Sequence, residues 1–208
     1  MTRIAHTIER SVLVLRFEGE DGLPRLTRGC MAEIARQIEW LEGASACTGC
    51  VIAGGEKAFA VGADIAEISR LTGVEAHEFS RAGQKVMAVI EDSQKPIVAA
   101  IAGYCMGGGL DLALACHARV AAADALFAHP GGAIGILTGW GGTQSLARLV
   151  GRPRAVEMLI TGRRVDAEEA RDWGLVERIV EQAELLGAAY RSLRRIGRGI
   201  VGRPGLAI

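Results

Sequence analysis

Short apolar runs alternate along the chain with longer segments in which apolar residues recur at helical spacing. The runs bounded by Gly, Pro or polar residues predict buried strands, and the segments with a period near 3.6 predict helices. Strands are predicted at 11–17, 50–54, 97–102, 118–122, 125–127 and 175–180, and helices at 27–41, 65–69, 74–91 and 109–115. Helix is expected to dominate after Gly141. Strands that alternate with helices in this way indicate an α/β fold.

The most apolar segment, residues 97–116, contains one charge and is long enough to cross a bilayer. Gly107, Gly108 and Gly109 would weaken a helix in mid-span. Asp111 would cost about 2.5 to 3.5 kcal/mol near the bilayer centre. The segment therefore predicts a buried strand, a glycine turn and a buried helix, and no membrane association.

Composition and charge favour a small-molecule partner. The 208 residues are 50% hydrophobic with a formal net charge of zero, so one sizeable core is expected and nothing attracts the chain to nucleic acid. Residues 191–208 carry five Arg and no acid. We expect a core domain at 1–190 and a short Arg-rich tail at 191–208, irregular in structure because of its Gly, Arg and Pro content.

The five cysteines and the N-terminus indicate a reducing environment. The chain begins with M-T-R-I-A-H-T-I-E-R, which has no apolar signal-peptide core, so a cytoplasmic location without disulfides is expected. Cys47 and Cys50 form a C-x-x-C, but the predicted strand after them does not offer the helix N-terminus that a redox thiol needs. Cys116 and His117 lie in an apolar run, and no metal site is predicted.

Two glycine-containing turns, at 58–64 and 103–111, each follow a predicted strand. The second opens a helix, where unpaired N–H groups and the helix dipole favour negative charge. Neither turn matches the G-x-x-x-x-G-K-[ST] or G-x-G-x-x-G phosphate motifs, and the chain lacks G-x-S-x-G. Nucleotide binding and a serine hydrolase nucleophile therefore lose support.

Four segments together resemble the crotonase (enoyl-CoA hydratase/isomerase) superfamily in order and spacing. They are K-A-F-A-V-G-A-D-I-A-E at 57–67, K-P-I-V-A-A-I-A-G-Y-C-M-G-G-G-L-D-L-A at 95–113, G-I-L-T-G-W-G-G-T-Q at 135–144 and T-G-R-R-V-D-A-E-E-A-R-D-W-G-L-V at 161–176. The resemblance covers roughly residues 10–180. It implies a spiral of β-β-α units with a shortened C-terminal helical region, a homotrimer or a dimer of trimers, and an acyl-CoA substrate whose coenzyme A is no separate cofactor.

The resemblance also assigns site residues. The oxyanion hole falls on the N–H groups of Ala63 and Gly108, and the first hydratase glutamate falls on Asp111. The implied substrate-binding residues are Val61, Gly62, Ala63, Asp64, Ile65, Gly107, Gly108, Gly131 and Trp140. Losing one donor of such a hole costs roughly 2.7 to 4 kcal/mol of transition-state stabilisation.

The chain departs from the family at the acid and base positions, because Gly131 occupies the place of the second glutamate. One carboxylate suits isomerisation, in which a single base moves a proton, better than hydration. His129 is either a substitute for the missing group or a structural residue, and Asp111 is either an acid/base or a helix-start residue. Trp140 is either a wall of the acyl pocket or core. The alternative function is that of a non-catalytic or CoA-binding relative that lacks the second carboxylate.

Overall fold

The computed structural model describes residues 2–200, and for residues 198–200 it describes the backbone alone. Within this part the chain forms two sheets and eight α-helices. The strands are β1 (Thr2–Glu9), β2 (Val12–Gly19), β3 (Gly49–Ala53), β4 (Ala58–Ala60), β5 (Ile97–Ile101), β6 (Tyr104–Met106), β7 (Ala118–Ala122), β8 (Leu126–Ala128), β9 (Val165–Asp166) and β10 (Arg178–Val180). The predicted α/β fold class is confirmed.

The two sheets are built by successive β-β-α coils of the chain. The larger sheet has the order β1-β2-β3-β5-β7-β10, and the smaller one has the order β4-β6-β8-β9. Strands β2, β3, β5 and β7 are parallel neighbours, as are β4, β6 and β8. From β3 to β8, each successive pair of strands therefore adds one strand to each sheet before a helix begins, whereas β1 and β2 both belong to the larger sheet. Parallel strands buried on both faces explain the continuous apolar runs in the sequence.

The helices lie between the strands or after them, and some begin at side-chain caps. They are α1 (Arg28–Gly43), α2 (Ile65–Ile68), α3 (Gly73–Glu91), α4 (Gly108–Ala115), α5 (Gly142–Val150), α6 (Arg152–Thr161), α7 (Ala167–Asp172) and α8 (Leu185–Ile200). Thr27 caps α1, and Thr72 with Glu75 forms a capping box at α3. Short 3-10 turns lie at Pro130–Ile134 and Gln182–Glu184.

The main core lies between the two sheets and the helices that follow them. Phe17 of β2 and Phe59 of β4 meet edge to face, with their ring centroids 5.8 Å apart and both side chains fully buried. A second apolar cluster covers the other face of the larger sheet, beneath α8. Both faces of the larger sheet are thus covered.

The expected irregular end is wrong for residues 191–200, which belong to helix α8. Leu185, Ala188, Ala189 and Leu193 of α8 are buried against the larger sheet. Their spacing of three and four residues places them on one helix face. Burial of this face outweighs the low helix propensity of the glycines. The expected domain boundary at residue 190 falls within α8, and residues 201–208 lie outside the described part.

Among residues 2–200, no helix combines the length and the apolar character that a membrane crossing requires. The helix that follows the apolar run of β5 and β6 is α4, which has eight residues. Cys47 and Cys50 are buried free thiols.

Candidate functional site

Three turns meet at one edge of the smaller sheet. Because β4, β6 and β8 are parallel neighbours, their carboxyl ends lie at the same edge. The residues that follow these strands are 61–64, 107–108 and 129–131. The fold therefore brings together segments that are more than 60 residues apart in the sequence.

The first turn directs the Ala63 N–H away from its neighbouring segment. Leu26 N–H donates to the Gly62 carbonyl at 2.8 Å, and Asp64 N–H donates to the Leu26 carbonyl at 3.2 Å. In extended backbone, successive N–H groups point to opposite sides, so the intervening Ala63 N–H faces the other way. Gly62 has φ +103°, a conformation that L side chains rarely adopt.

The second turn contacts the first and opens α4. Gly108 is the first residue of α4, so its N–H has no acceptor within the helix. A Cβ built on Gly62 would lie 3.4 Å from the Gly108 nitrogen, which shows how closely the two turns approach. A Cβ on Gly108 itself would lie 2.5 Å from Cζ3 of Trp140. Glycine at 108 thus allows Trp140 to pack directly on the backbone of the turn.

A largely apolar cavity of about 630 Å³ opens beside the two turns. Helix α3 contributes Phe79, whose ring centroid lies 5.4 Å from that of Trp140. The segment after β8 also lines the cavity. The other apolar residues that line the cavity include Ile65, Ile68, Leu71, Ile134, Ile136, Leu137 and Leu159. The cavity is of the size and character of a small-molecule site.

Asp111 is the acidic residue that lines this cavity, and it is only 3% exposed. It lies on the first turn of α4, three residues after Gly108. The Thr138 hydroxyl donates to Oδ2 of Asp111, and the Trp140 backbone N–H also bonds the carboxylate. Burial raises the pKa of Asp111 to about 7, and these two hydrogen bonds oppose the rise. Asp111 therefore changes charge near neutral pH.

His129 lies against the other oxygen of the same carboxylate. Its Nε2 is 3.5 Å from Oδ1 of Asp111, and its residue exposure is 3%. Burial lowers the pKa of His129 to about 4, because the charged imidazolium loses its hydration. The imidazole is thus neutral at the pH where Asp111 titrates.

Sequence and structure comparisons agree on the family of this chain. The enoyl-CoA hydratase/isomerase family model matches residues 7–201. The chain belongs to this family. The crotonase resemblance drawn from the four segments is confirmed.

Several members of the enoyl-CoA hydratase/isomerase family are similar over most of this chain. A crotonyl-CoA hydratase of Syntrophomonas wolfei is 38% identical over 189 residues, which are 90% of this chain and 73% of that protein. A short-chain-enoyl-CoA hydratase of Clostridium acetobutylicum is 35% identical, with 90% and 72% covered. The solved structure of Pseudomonas aeruginosa DspI has a TM-score of 0.88 at 33% identity, with 94% of this chain and 74% of that chain covered.

A Bacillus anthracis enoyl-CoA hydratase structure has a TM-score of 0.86 at 31% identity, with 96% of this chain and 77% of that chain covered. The likeness to solved members of the family thus extends over nearly the whole described fold. The crotonase-like architecture is confirmed by these neighbours.

Gly131, to which the resemblance assigns the second glutamate of the family, lies in a closed turn. Gly131 is the second residue of the 3-10 segment Pro130–Ile134, and its carbonyl accepts from the Ile136 N–H at 2.9 Å. A Cβ built on Gly131 would overlap the Ile136 carbonyl oxygen. The turn therefore has no room for a glutamate unless its backbone moves.

Most of the predicted site residues line the cavity. They are Val61, Gly62, Ala63, Ile65, Gly107, Gly108, Asp111, Gly131 and Trp140. Asp64 does not line it. Its Oδ1 accepts from the N–H groups of Ala66 at 2.8 Å and Glu67 at 3.3 Å, so it caps helix α2.

Sequence reasoning missed Thr138 and the part of the cavity contributed by α3. Thr138 stands 27 residues after Asp111 in a glycine-rich turn, where threonine is an ordinary turn residue. Gln84 of α3 donates to the Gly139 carbonyl at 2.8 Å and holds this turn against the helix. The only usable signal was the proximity of Thr138 to Trp140, already predicted as a site residue.

Proposed function

We propose that this protein is an acyl-CoA enzyme of the hydratase/isomerase type that stabilises a thioester enolate. The N–H groups of Ala63 and Gly108 would hold the enolate oxygen, and Asp111 would be the single acid/base. The observation that carries the proposal is the meeting of the two turns beside one buried carboxylate in an apolar cavity.

The charge that develops during the reaction explains why these backbone groups suit it. Removing a proton beside a thioester places negative charge on the carbonyl oxygen. The Gly108 N–H stands at the start of α4, where the helix dipole favours an anion. Fixed donors that need no reorganisation supply roughly 2.7 to 4 kcal/mol each to such a transition state.

The ionisation of Asp111 is matched to proton transfer at neutral pH. A group with a pKa near the working pH is present in both its basic and acidic forms, which favours general acid–base catalysis. Burial raises the pKa of Asp111 to about 7. The shorter aspartate side chain is held by the Thr138 hydroxyl and the Trp140 N–H, which fix its orientation.

The absence of a carboxylate at Gly131 favours proton transfer between carbons over hydration. In an isomerisation, Asp111 takes a proton from one carbon, the electron pair enters the enolate, and the same proton returns to another carbon. Hydration needs one group to deprotonate water and another to protonate the α carbon. The closed turn at Gly131 also supports the second candidate, a CoA-binding relative without turnover.

Exchange of the α hydrogens of acyl-CoA thioesters tests the proposal most directly. The protein is incubated in D₂O with short saturated and unsaturated acyl-CoAs, and deuterium uptake, double-bond position and water addition are read by mass spectrometry. We expect uptake that Asp111→Asn reduces by at least about 100-fold, the range of a lost general base. The matched control is Asp92→Asn, at the exposed end of α3.

Binding without deuterium uptake would favour the CoA-binding relative, and no binding of any acyl-CoA would overturn both functions. Water addition to an enoyl-CoA would show that one carboxylate suffices for hydration here.

A further inference from the structure

Two buried polar atoms of the site face each other with no other hydrogen-bond partner. Oδ1 of Asp111 and Nε2 of His129 are both inaccessible to solvent, and neither has a partner that meets hydrogen-bond criteria. They lie 3.5 Å apart. Leaving such an atom unpaired costs about 1 to 3 kcal/mol, more when it is charged, so each is the natural partner of the other.

The surroundings leave this pair isolated from other charges. The carboxylate also contacts the Thr138 hydroxyl and the Trp140 N–H, both on the turn before α5. The thiol of Cys105 on β6 interacts electrostatically with Asp111, but burial raises the pKa of Cys105 well above its ordinary value, so the thiol is neutral. The pKa shifts of Asp111 and His129 arise from burial and these hydrogen bonds, and no charged neighbour contributes.

We propose that His129 is the positioning residue of Asp111, and that its Nε2–H donates to Oδ1 of the ionised carboxylate. This hydrogen bond would fix the direction of the carboxylate and set the pH range in which it is a base. The role rests on the proposed function, in which Asp111 exchanges a proton with the substrate.

The proposed role keeps His129 neutral throughout the reaction. When Asp111 takes a proton, the substrate C–H bond breaks, its electron pair enters the enolate, and the carboxyl becomes neutral. When the proton returns to carbon, the carboxylate is regenerated and the Nε2–H bond to Oδ1 strengthens, because hydrogen bonds to a charged acceptor are roughly twice as strong. His129 thus assists the base without a second carboxylate at Gly131.

The ionisation of Asp111 in two amide variants of His129 tests this role. His129→Gln places an amide N–H near the position of Nε2, whereas the shorter side chain of His129→Asn ends near the position of Nδ1. The side-chain carboxyl of Asp111 is titrated by ¹³C NMR in ¹³C-aspartate-labelled protein, with its resonance assigned by its loss in Asp111→Asn. His6→Gln, on exposed strand β1, is the control.

We expect His129→Asn to raise the midpoint of Asp111 by about one to two pH units, the value of a lost charge-assisted hydrogen bond. His129→Gln should retain most of the original midpoint. The rising limb of the pH profile of deuterium exchange should move with the midpoint. An unmoved midpoint in His129→Asn, or an equal rise in both variants, would overturn the role of Nε2.

The tautomer of His129 in the unmodified protein gives a second test that requires no variant to fold. At a pH above the midpoint of Asp111, ¹⁵N NMR should find the proton on Nε2, and a proton on Nδ1 alone would overturn the proposal. Neither NMR result depends on turnover. If the protein exchanged no acyl-CoA hydrogens, the proposed function would fail while these measurements still decided the role of His129.

Discussion

The pKa values of Asp111 and His129 change in opposite directions when the chain folds. In the folded protein they are about 7 and about 4. In the unfolded chain they return to about 3.9 and about 6.5. Between pH 4 and 6.5 both states therefore hold one proton on this pair, on Asp111 when folded and on His129 when unfolded. The pair as a whole should contribute almost no pH dependence to the free energy of unfolding in this range.

Substituting either Asp111 or His129 should expose the pH dependence of stability that the remaining residue contributes. In Asp111→Asn, the remaining His129 binds fewer protons in the folded state than in the unfolded state. The free energy of unfolding should then rise with pH between about 4 and 6.5, by up to about 1.4 kcal/mol per pH unit and about 3 kcal/mol in total. In His129→Gln, the remaining Asp111 binds more protons when folded, so stability should fall by about 4 kcal/mol between pH 4 and 7.

Urea denaturation at several pH values between 5 and 7 measures these opposite slopes, with tryptophan fluorescence and circular dichroism as probes. Each variant is compared with the unmodified protein at the same pH, because the other titratable groups then cancel. Asp92→Asn and His6→Gln, both at exposed positions, should leave the slope unchanged. Parallel curves for Asp111→Asn and the unmodified protein would refute the perturbed ionisation of this pair.

Three further substitutions test the packing around the site. Gly142→Ala should reduce activity by at least about 10-fold, because the new Cβ would overlap Oδ1 of Asp111 and displace the carboxylate. Such a displacement misaligns the reacting groups. Gly43→Ala is the control, because its Cβ would meet no atom within 4 Å. Trp140→Ala should destabilise the fold by about 3 to 5 kcal/mol in denaturation and enlarge the cavity that it lines. Under the proposed function, the larger cavity should raise the preference for longer acyl chains. Leu193→Ala should cost about 2 to 5 kcal/mol, and an unchanged urea midpoint would contradict the packing of α8.

The parts of the fold that could be predicted from the sequence are those with strong local patterns. The strands of the larger sheet between residues 12 and 122 coincide with apolar runs in the sequence, and their positions agree with the prediction within about two residues. Strands β4, β6 and β9 have two or three residues each and leave no periodic signal. Strand β1 was not predicted, because its polar and apolar residues do not alternate regularly.

The residues of the candidate site likewise divide into those that the sequence indicates and those that only the fold reveals. Ala63, Gly108 and Asp111 were assigned from the resemblance of two glycine-containing turns to the family. Thr138 could not be found, because its hydrogen bond to Asp111 depends on how the chain returns after β8. The irregular tail was predicted from Gly, Arg and Pro content, whereas the apolar spacing that begins at Leu185 decides the structure of α8.

Each of the three turns at one edge of the smaller sheet carries a different part of the candidate site. Ala63 lies on the turn after β4, Gly108 and Asp111 follow β6, and His129 and Thr138 follow β8. Each turn is anchored by its own strand, so the third can change its side chains while the backbone donors of the first two stay in place. The architecture is modular in this sense: new proton-transfer groups could be introduced on the segment after β8 without rebuilding the two turns that carry the proposed carbonyl-binding N–H groups.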